Sequence, residues 1–247
     1  MELKSSIAYL LRNGKGLSES AIVEIFKSVF GTKEKDLIKA LREMKRKKEI
    51  LRDQDLIKST ARIKRRIPRV EKIKYNLPLW HRNWTMVVFN IPETKKSLRD
   101  QIRYQLKKHG FAVWQNSVWV SPHSLDEMLK RFLTNHNLEK NVKVFSGSLS
   151  SDDEKELVEN IWQLQQLEKG YRNFVIDAKR SFKRLKNLSN LENELKEKAL
   201  DLLAKTTEVK YLNIVRFDPF LPRPLLPRNW IGSRAFRIYQ QLEKYLR

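Results

Sequence analysis

TKEKDLIKALREMKRKKEILRDQDLIKS, running from Thr32 to Ser59, decides how the N-terminal part of this chain folds. Leu37, Leu41 and Met44 are spaced by four and three, the repeat that places apolar side chains on one face of an α-helix. At about 100° per residue, Lys35, Lys39, Arg42 and Arg46 fall on the opposite side, so the helix presents a cationic stripe to solvent. Two short apolar pairs follow, Ile50-Leu51 and Leu56-Ile57. The polar run Arg52-Asp53-Gln54-Asp55 between them suits the tip of a small hairpin.

Upstream, Ile7, Leu10 and Leu11 mark a short helix that stops at Asn13-Gly14. Ser18 is placed to cap a second helix carrying Ile22, Ile25, Phe26 and Val29, which Gly31 ends, and Thr32 is placed to cap the third. Three helices and then a hairpin is the order of a winged helix-turn-helix, in which the third helix enters the DNA major groove. On a lone helix the same stripe would read as an ordinary solvated face. Its position before the hairpin turns the reading towards DNA.

The charge of the whole chain agrees. Its 247 residues hold 51 Lys and Arg against 29 Asp and Glu, a net charge of +22. Residues 1 to 80 alone carry 21 basic side chains against 10 acidic ones. So one-sided a surface repels itself unless a polyanion sits against it. Residues 62 to 74 continue the pattern with Arg62, Lys64, Arg65, Arg66, Arg69, Lys72 and Lys74 against Glu71. They either extend the DNA footprint along phosphates or form a solvated linker, since Pro68 and Pro78 interrupt regular structure. A hydrophobic content of 40 % excludes a wholly disordered chain. The lack of cysteine excludes disulfides and thiolate metal sites and fits a cytoplasmic protein. No signal-peptide pattern is expected at the N-terminus, and no apolar run approaches the roughly 20 residues that span a bilayer, so no membrane partner is expected beyond a basic patch on an anionic surface.

Beyond the hairpin, Thr85 to Ile91 reads as a strand closed by Pro92, and Leu98, Ile102 and Leu106 as an amphipathic helix ending at His109-Gly110. Phe111 to Ser121 is either two strands or one bent strand, broken at Gln115-Asn116-Ser117. Leu125, Met128, Leu129 and Phe132 make a further helix and Val142 to Phe145 a last strand. This βαββαβ order implies a ferredoxin-like sandwich. From residue 151 the pattern is helical, with a possible break at Gly170. Residues 207 to 217 suit a strand as well as a helix, four prolines pin the stretch 219 to 227, and a final helix starts near Ile231. The expectation is an α+β multidomain protein. A winged helix-turn-helix occupies 1–66, a basic linker 67–83, a ferredoxin-like domain 84–150, and a mostly α-helical domain 151–247.

Three stretches together resemble the PaaX-like family of bacterial transcription repressors: Trp84-Thr85-Met86-Val87-Val88-Phe89-Asn90-Ile91-Pro92-Glu93; Gly110-Phe111 with Gln115-Asn116-Ser117-Val118-Trp119-Val120-Ser121-Pro122; and Asp218-Pro219-Phe220-Leu221-Pro222 with Leu225-Leu226-Pro227 and Trp230. The resemblance implies a winged helix, a central domain similar to the small CRISPR-associated adaptation protein, and a helical C-terminal domain. It also implies a homodimer on operator DNA. The founding type is released by an aryl-acetyl coenzyme A, but no residue set here can be assigned to that cofactor, and an acyl-CoA effector is expected by resemblance alone.

Catalytic readings are weak. Adaptation-type nucleases carry an Asp at the end of the first central strand, where this chain has Asn90, a poor ligand for a hard divalent cation. Glu93 and Asp100 nearby read as helix N-terminal charges. His81, His109, His123 and His136 show no metal-ligand spacing, and the few glycines form no phosphate-cradling loop. Trp114, Trp119, Trp162 and Trp230 suit core or interface better than a ligand pocket. No catalytic residue and no metal are therefore expected. The chain reads as a DNA-binding transcription regulator, with Lys35, Lys39, Arg42 and Arg46 in a major groove and Arg52, Lys58, Arg62, Lys64, Arg65 and Arg66 on flanking phosphates. A nucleic-acid-processing nuclease built on the central domain and a non-specific RNA-binding protein are the rival readings.

Overall fold

The computed structural model describes residues 2–66, 79–125 and 127–245. Most of the expected linker, residues 67–78, lies outside them. The chain is an α+β arrangement of two compact units. One comprises Met1–Lys72, Tyr171–Asn213 and Gly232–Arg247, the other Ile73–Gly170 and Ile214–Ile231.

The first unit begins with α1 (Leu3–Leu10), β1 (Leu17–Ser18), α2 (Glu19–Phe30), α3 (Glu34–Arg46), β2 (Ile50–Asp53) and β3 (Leu56–Ser59). Ser18 caps α2 by accepting a 3.1 Å hydrogen bond from the Ala21 amide. Gly31 ends it at φ 64°, a left-handed conformation that costs glycine little. The expected cap at Thr32 does not form. The Thr32 amide instead donates to Phe26 O at 3.3 Å and so belongs to the closing bonds of α2. Lys33 takes the position before α3, without a side-chain cap. The hairpin β2–β3 is antiparallel, with Arg52 opposite Ile57, and β1 adds to its far side in the order β1-β3-β2.

Ile7, Ile22, Ile25, Phe26, Leu37 and Met44 are buried at the centre of this unit, and their cluster continues into Leu188, Leu191, Ala199, Leu202 and Leu203. The expected segments 1–66 and 151–247 thus share one core. Its C-terminal contributors lie on the turn Leu185–Asn190, at Leu191 and on α8 (Asn193–Val215), while the later part of α7 (Leu164–Arg184) and α9 (Gly232–Tyr245) belong to the same unit. The ambiguous stretch 207–217 is helical as far as Val215, because Val209, Tyr211 and Val215 all find burial on α8. Tyr211 stacks on Tyr239 of α9 with centroids 4.3 Å apart. No break occurs at Gly170; the interruption lies at Gln163 (φ 44°), between α6 (Ser151–Ile161) and α7.

The second unit holds β4 (Trp84–Phe89), α4 (Lys96–Lys108), β5 (Ala112–Gln115), β6 (Val118–Ser121), α5 (Glu127–Asn135) and β7 (Val142–Gly147). All pairings are antiparallel, in the order β5-β6-β4-β7. The segment 111–121 resolves into two strands turned at Asn116, where φ is 43°. One sheet face carries Val87, Phe89, Trp119 and Val142 and is covered by Ile102 and Leu106 of α4 and Leu129 and Leu133 of α5. Gly110 (φ 79°) is required where it stands, since a Cβ there would lie 2.8 Å from the His123 ring and 2.9 Å from Pro219 O.

Candidate nucleic-acid interface

The period of Leu37, Leu41 and Met44 orients α3. These three are at most 5 % exposed, which turns Lys35, Lys39, Arg42 and Arg46 outward, and all four are exposed. The acids of the helix are kept out of the stripe. Glu34 and Asp36 stand in the first turn, where negative charge complements the helix dipole. Glu43, on the flank, is held by Lys4 of α1, whose hydrogen bond keeps its carboxyl below the usual carboxylate range. The stripe therefore meets solvent as an array of cations.

Arg52 is exposed on β2. Lys58 is not free, since its ammonium lies 2.6 Å from Asp53 across the hairpin. Arg62 is exposed, with its guanidinium 3.5 Å from Lys47 O, on the 3-10 turn Ala61–Arg66. The side chains of Lys64, Arg65 and Arg66 lie outside the described residues.

The structure adds a feature that the stripe alone did not reveal. A cleft of about 340 Å³ runs between α3 and the hairpin, and Arg42, Lys45, Leu51 and Arg52 line it. Lys45 sits about 80° round the helix from the buried face, so a reading confined to the opposite face passes over it. Lys48 (φ 55°) turns the chain from α3 into β2 and Gln54 (φ 51°) turns the hairpin. Cations from the helix and from the hairpin thereby face one cleft.

Among the described residues the central unit assembles no comparable site. Asn90 follows β4, and its carbonyl accepts a 3.0 Å hydrogen bond from Asn141 Nδ2. Glu93 is bound by Arg99, whose hydrogen bond lowers its carboxyl pKa, and Asp100 lies 3.8 Å from Arg103. Among the described residues no three His, Asp or Glu side chains come together to hold a metal ion. His123 donates to Pro219 O at 2.8 Å, with burial lowering its pKa, and His136 Nδ1 lies 2.9 Å from Phe132 O. Of the four tryptophans, Trp119 and Trp230 are buried, Trp162 donates to Gly110 O at 3.3 Å and packs on Trp84 with centroids 6.0 Å apart, and Trp114 is exposed. No helix among the described residues is long and apolar enough to cross a membrane.

A cationic third helix beside a hairpin, in one chain with a sheet-bearing central segment, is the arrangement of a nucleic-acid-binding protein. Residues 78–158 match the PaaX protein central Cas2-like domain, and residues 162–247 match the PaaX-like protein C-terminal domain. The chain belongs to the PaaX-like family, and it is a DNA-binding transcription regulator, not an enzyme. Among solved structures it is similar to an uncharacterized protein, Rv0674, from Mycobacterium tuberculosis. The identity is 19 %, covering 99 % of this chain and 96 % of that one, with a TM-score of 0.49. No curated protein matches.

Proposed function

We propose that the protein is a repressor that reads operator DNA as a homodimer, with 1–66 as a winged helix-turn-helix head, 84–150 as a ferredoxin-like domain and 151–247 as a helical one. The observation that carries this reading is the exposed stripe Lys35, Lys39, Arg42 and Arg46, set opposite the buried Leu37, Leu41 and Met44. That helix would lie in a major groove, with Arg42 gripping guanine through two hydrogen bonds. Arg52, Arg62, Lys64, Arg65 and Arg66 would contact flanking phosphates, joined by Lys58 once it leaves Asp53. The strand order β5-β6-β4-β7 supports the ferredoxin-like assignment. Two heads are called for because one small head seldom specifies a site on a genome. Phe145, exposed beside Met86 on the sheet face that α4 and α5 leave open, supports association through the central segment. Repression is steric exclusion at a promoter in the cytoplasm.

The test is binding of wild type and Arg42→Ala to the segment upstream of the protein's own gene and to a scrambled duplex. Loss of a base contact costs about 1–3 kcal/mol on the operator and little on the scramble. Equal weakening on both duplexes would remove α3 as the reading helix.

A further inference from the structure

At the end of α2, beside α7 and α8, lies a cavity of about 260 Å³. Phe30, Phe174 and Leu203 give it apolar wall, while Arg180, Arg184 and Lys210 bring three cations to it. The carboxylate among the lining residues is Asp177, 2.7 Å from Lys210 and 3.8 Å from Arg180. Arg184 is engaged differently: its Nη1 donates to Val29 O at 3.4 Å, and its Nη2 would lie 3.1 Å from a Cβ at Gly31. Its charge thus rests on the carbonyl end of α2, where a cation is favourable but not neutralised. Thr207, 6 % exposed, adds a hydroxyl to the same lining.

Positive charge in excess, a buried hydroxyl and aromatic walls in one concavity are the makings of an anion site, because a partly desolvated cation gains most from a partner of opposite charge. The volume falls below the roughly 300–1,000 Å³ of pockets for drug-sized ligands, which suits a small ligand. We propose that this cavity binds a small organic anion, an oxyanion head on a short apolar body, and that its occupancy is coupled to DNA reading through Arg184. The head takes Arg184 and Thr207, and the body lies against Phe30 and Phe174.

The coupling follows from where Arg184 is spent. Gly31, Thr32 and Lys33 form the turn that leads from α2 into α3. A bond from the guanidinium to an oxyanion is roughly twice as strong as one to a neutral carbonyl, so the anion draws Arg184 away from α2. A ligand shifts an equilibrium only by its differential affinity for the two states, and the Arg184–Val29 contact supplies that difference. The expected effect is an operator affinity about 5- to 150-fold weaker in the presence of the anion. This coupling rests on the DNA-reading assignment above; binding of the anion does not.

The experiment titrates the full chain calorimetrically with hexanoate, with hexanamide as the neutral body and inorganic phosphate as the head without a body, all at constant ionic strength. Binding to the upstream duplex is then measured with and without hexanoate. Hexanoate is expected to saturate one site per chain, hexanamide not to bind, and phosphate to bind more weakly. Thr207→Val, which keeps the shape of the side chain, is expected to weaken hexanoate about tenfold or more. Arg184→Gln is expected to bind the duplex as weakly as the ligand-bound wild type and to ignore hexanoate. Should Arg184→Gln fail to fold, Thr207→Val still decides the site. Absence of saturable binding, equal binding of hexanamide or phosphate, or indifference to Thr207→Val overturns the proposal. Saturable hexanoate with unchanged DNA affinity overturns the coupling. Hexanoate binding by a protein that recognises no duplex would instead refute the regulator reading while leaving the site in place.

Discussion

Leu202→Ala, on α8 and far in sequence from the cationic α3, should loosen α2 and α3. Leu202 is fully buried and belongs to the cluster that contains Ile25, Phe26 and Met44. Truncating a buried leucine costs the transfer free energy of the lost atoms plus the cavity left behind, about 3 kcal/mol. At roughly 3–4 °C per kcal/mol for a unit of this size, the melting transition should fall by about 10 °C. The sharper assay is native-state hydrogen exchange. The amides of Ile25, Phe26 and Met44 should lose protection by the same factor as those of α8, roughly 100-fold for that free energy. If α8 loses protection while α2 and α3 keep theirs, the two segments do not share one core.

Arg62→Ala should weaken binding to operator and scrambled duplexes alike and lower the salt slope by roughly 0.9, as loss of a phosphate contact does, measured by titration at several salt concentrations. Tyr9, whose pKa burial and then Asp201 raise to about 12, should be resolved as a late-ionising group in a tyrosinate absorbance titration. Its folded-state pKa is raised, so its stabilisation is complete below pH 10.0 and is lost as pH rises towards 12. Asp201→Asn should bring that ionisation down without restoring the ordinary value, because burial remains. The Lys4–Glu43 pair runs the other way: with the folded carboxyl depressed, its stabilisation is present above the ordinary carboxyl value of 4.5 and is lost as pH falls through the folded pKa. Lys4→Ala should flatten that part of an acid denaturation curve. Gly110→Ala should destabilise the central unit, seen as a lower midpoint in tryptophan-monitored urea unfolding, because its Cβ would press on the Pro219 carbonyl.

What was legible in the sequence was local. Ser18 as a cap, Gly31 as a stop and the four-three spacing of Leu37, Leu41 and Met44 are each settled within one or two helical turns, and the structure has them as read. Thr32 went astray because the closing bonds of α2 took its amide first. Val209 and Val215 favour strands in isolation, yet burial along a long helix overrides that preference. Of the candidate site, the stripe was visible because it obeys helical periodicity. The cleft with Lys45 was not, because it needs the hairpin folded against the helix. The packing of Leu188 and Leu202 with Phe26, and the meeting of Phe30, Arg184 and Thr207, join residues more than a hundred positions apart and leave no local trace.

The core that Phe26 and Met44 share with Leu188, Leu202 and Leu203 also bears on how the protein is made. The segment from α1 to β3 leaves the ribosome early, but the apolar side chains that complete its interior are translated only after the whole central segment. A nascent chain therefore carries a half-built core over that interval, with apolar surface that chaperones must shield. A message cut short before α8 yields a polypeptide with the cationic helix but without the support that holds it in shape. Premature termination thus makes no stably folded miniature of the first unit, and only chains translated past α8 complete its core.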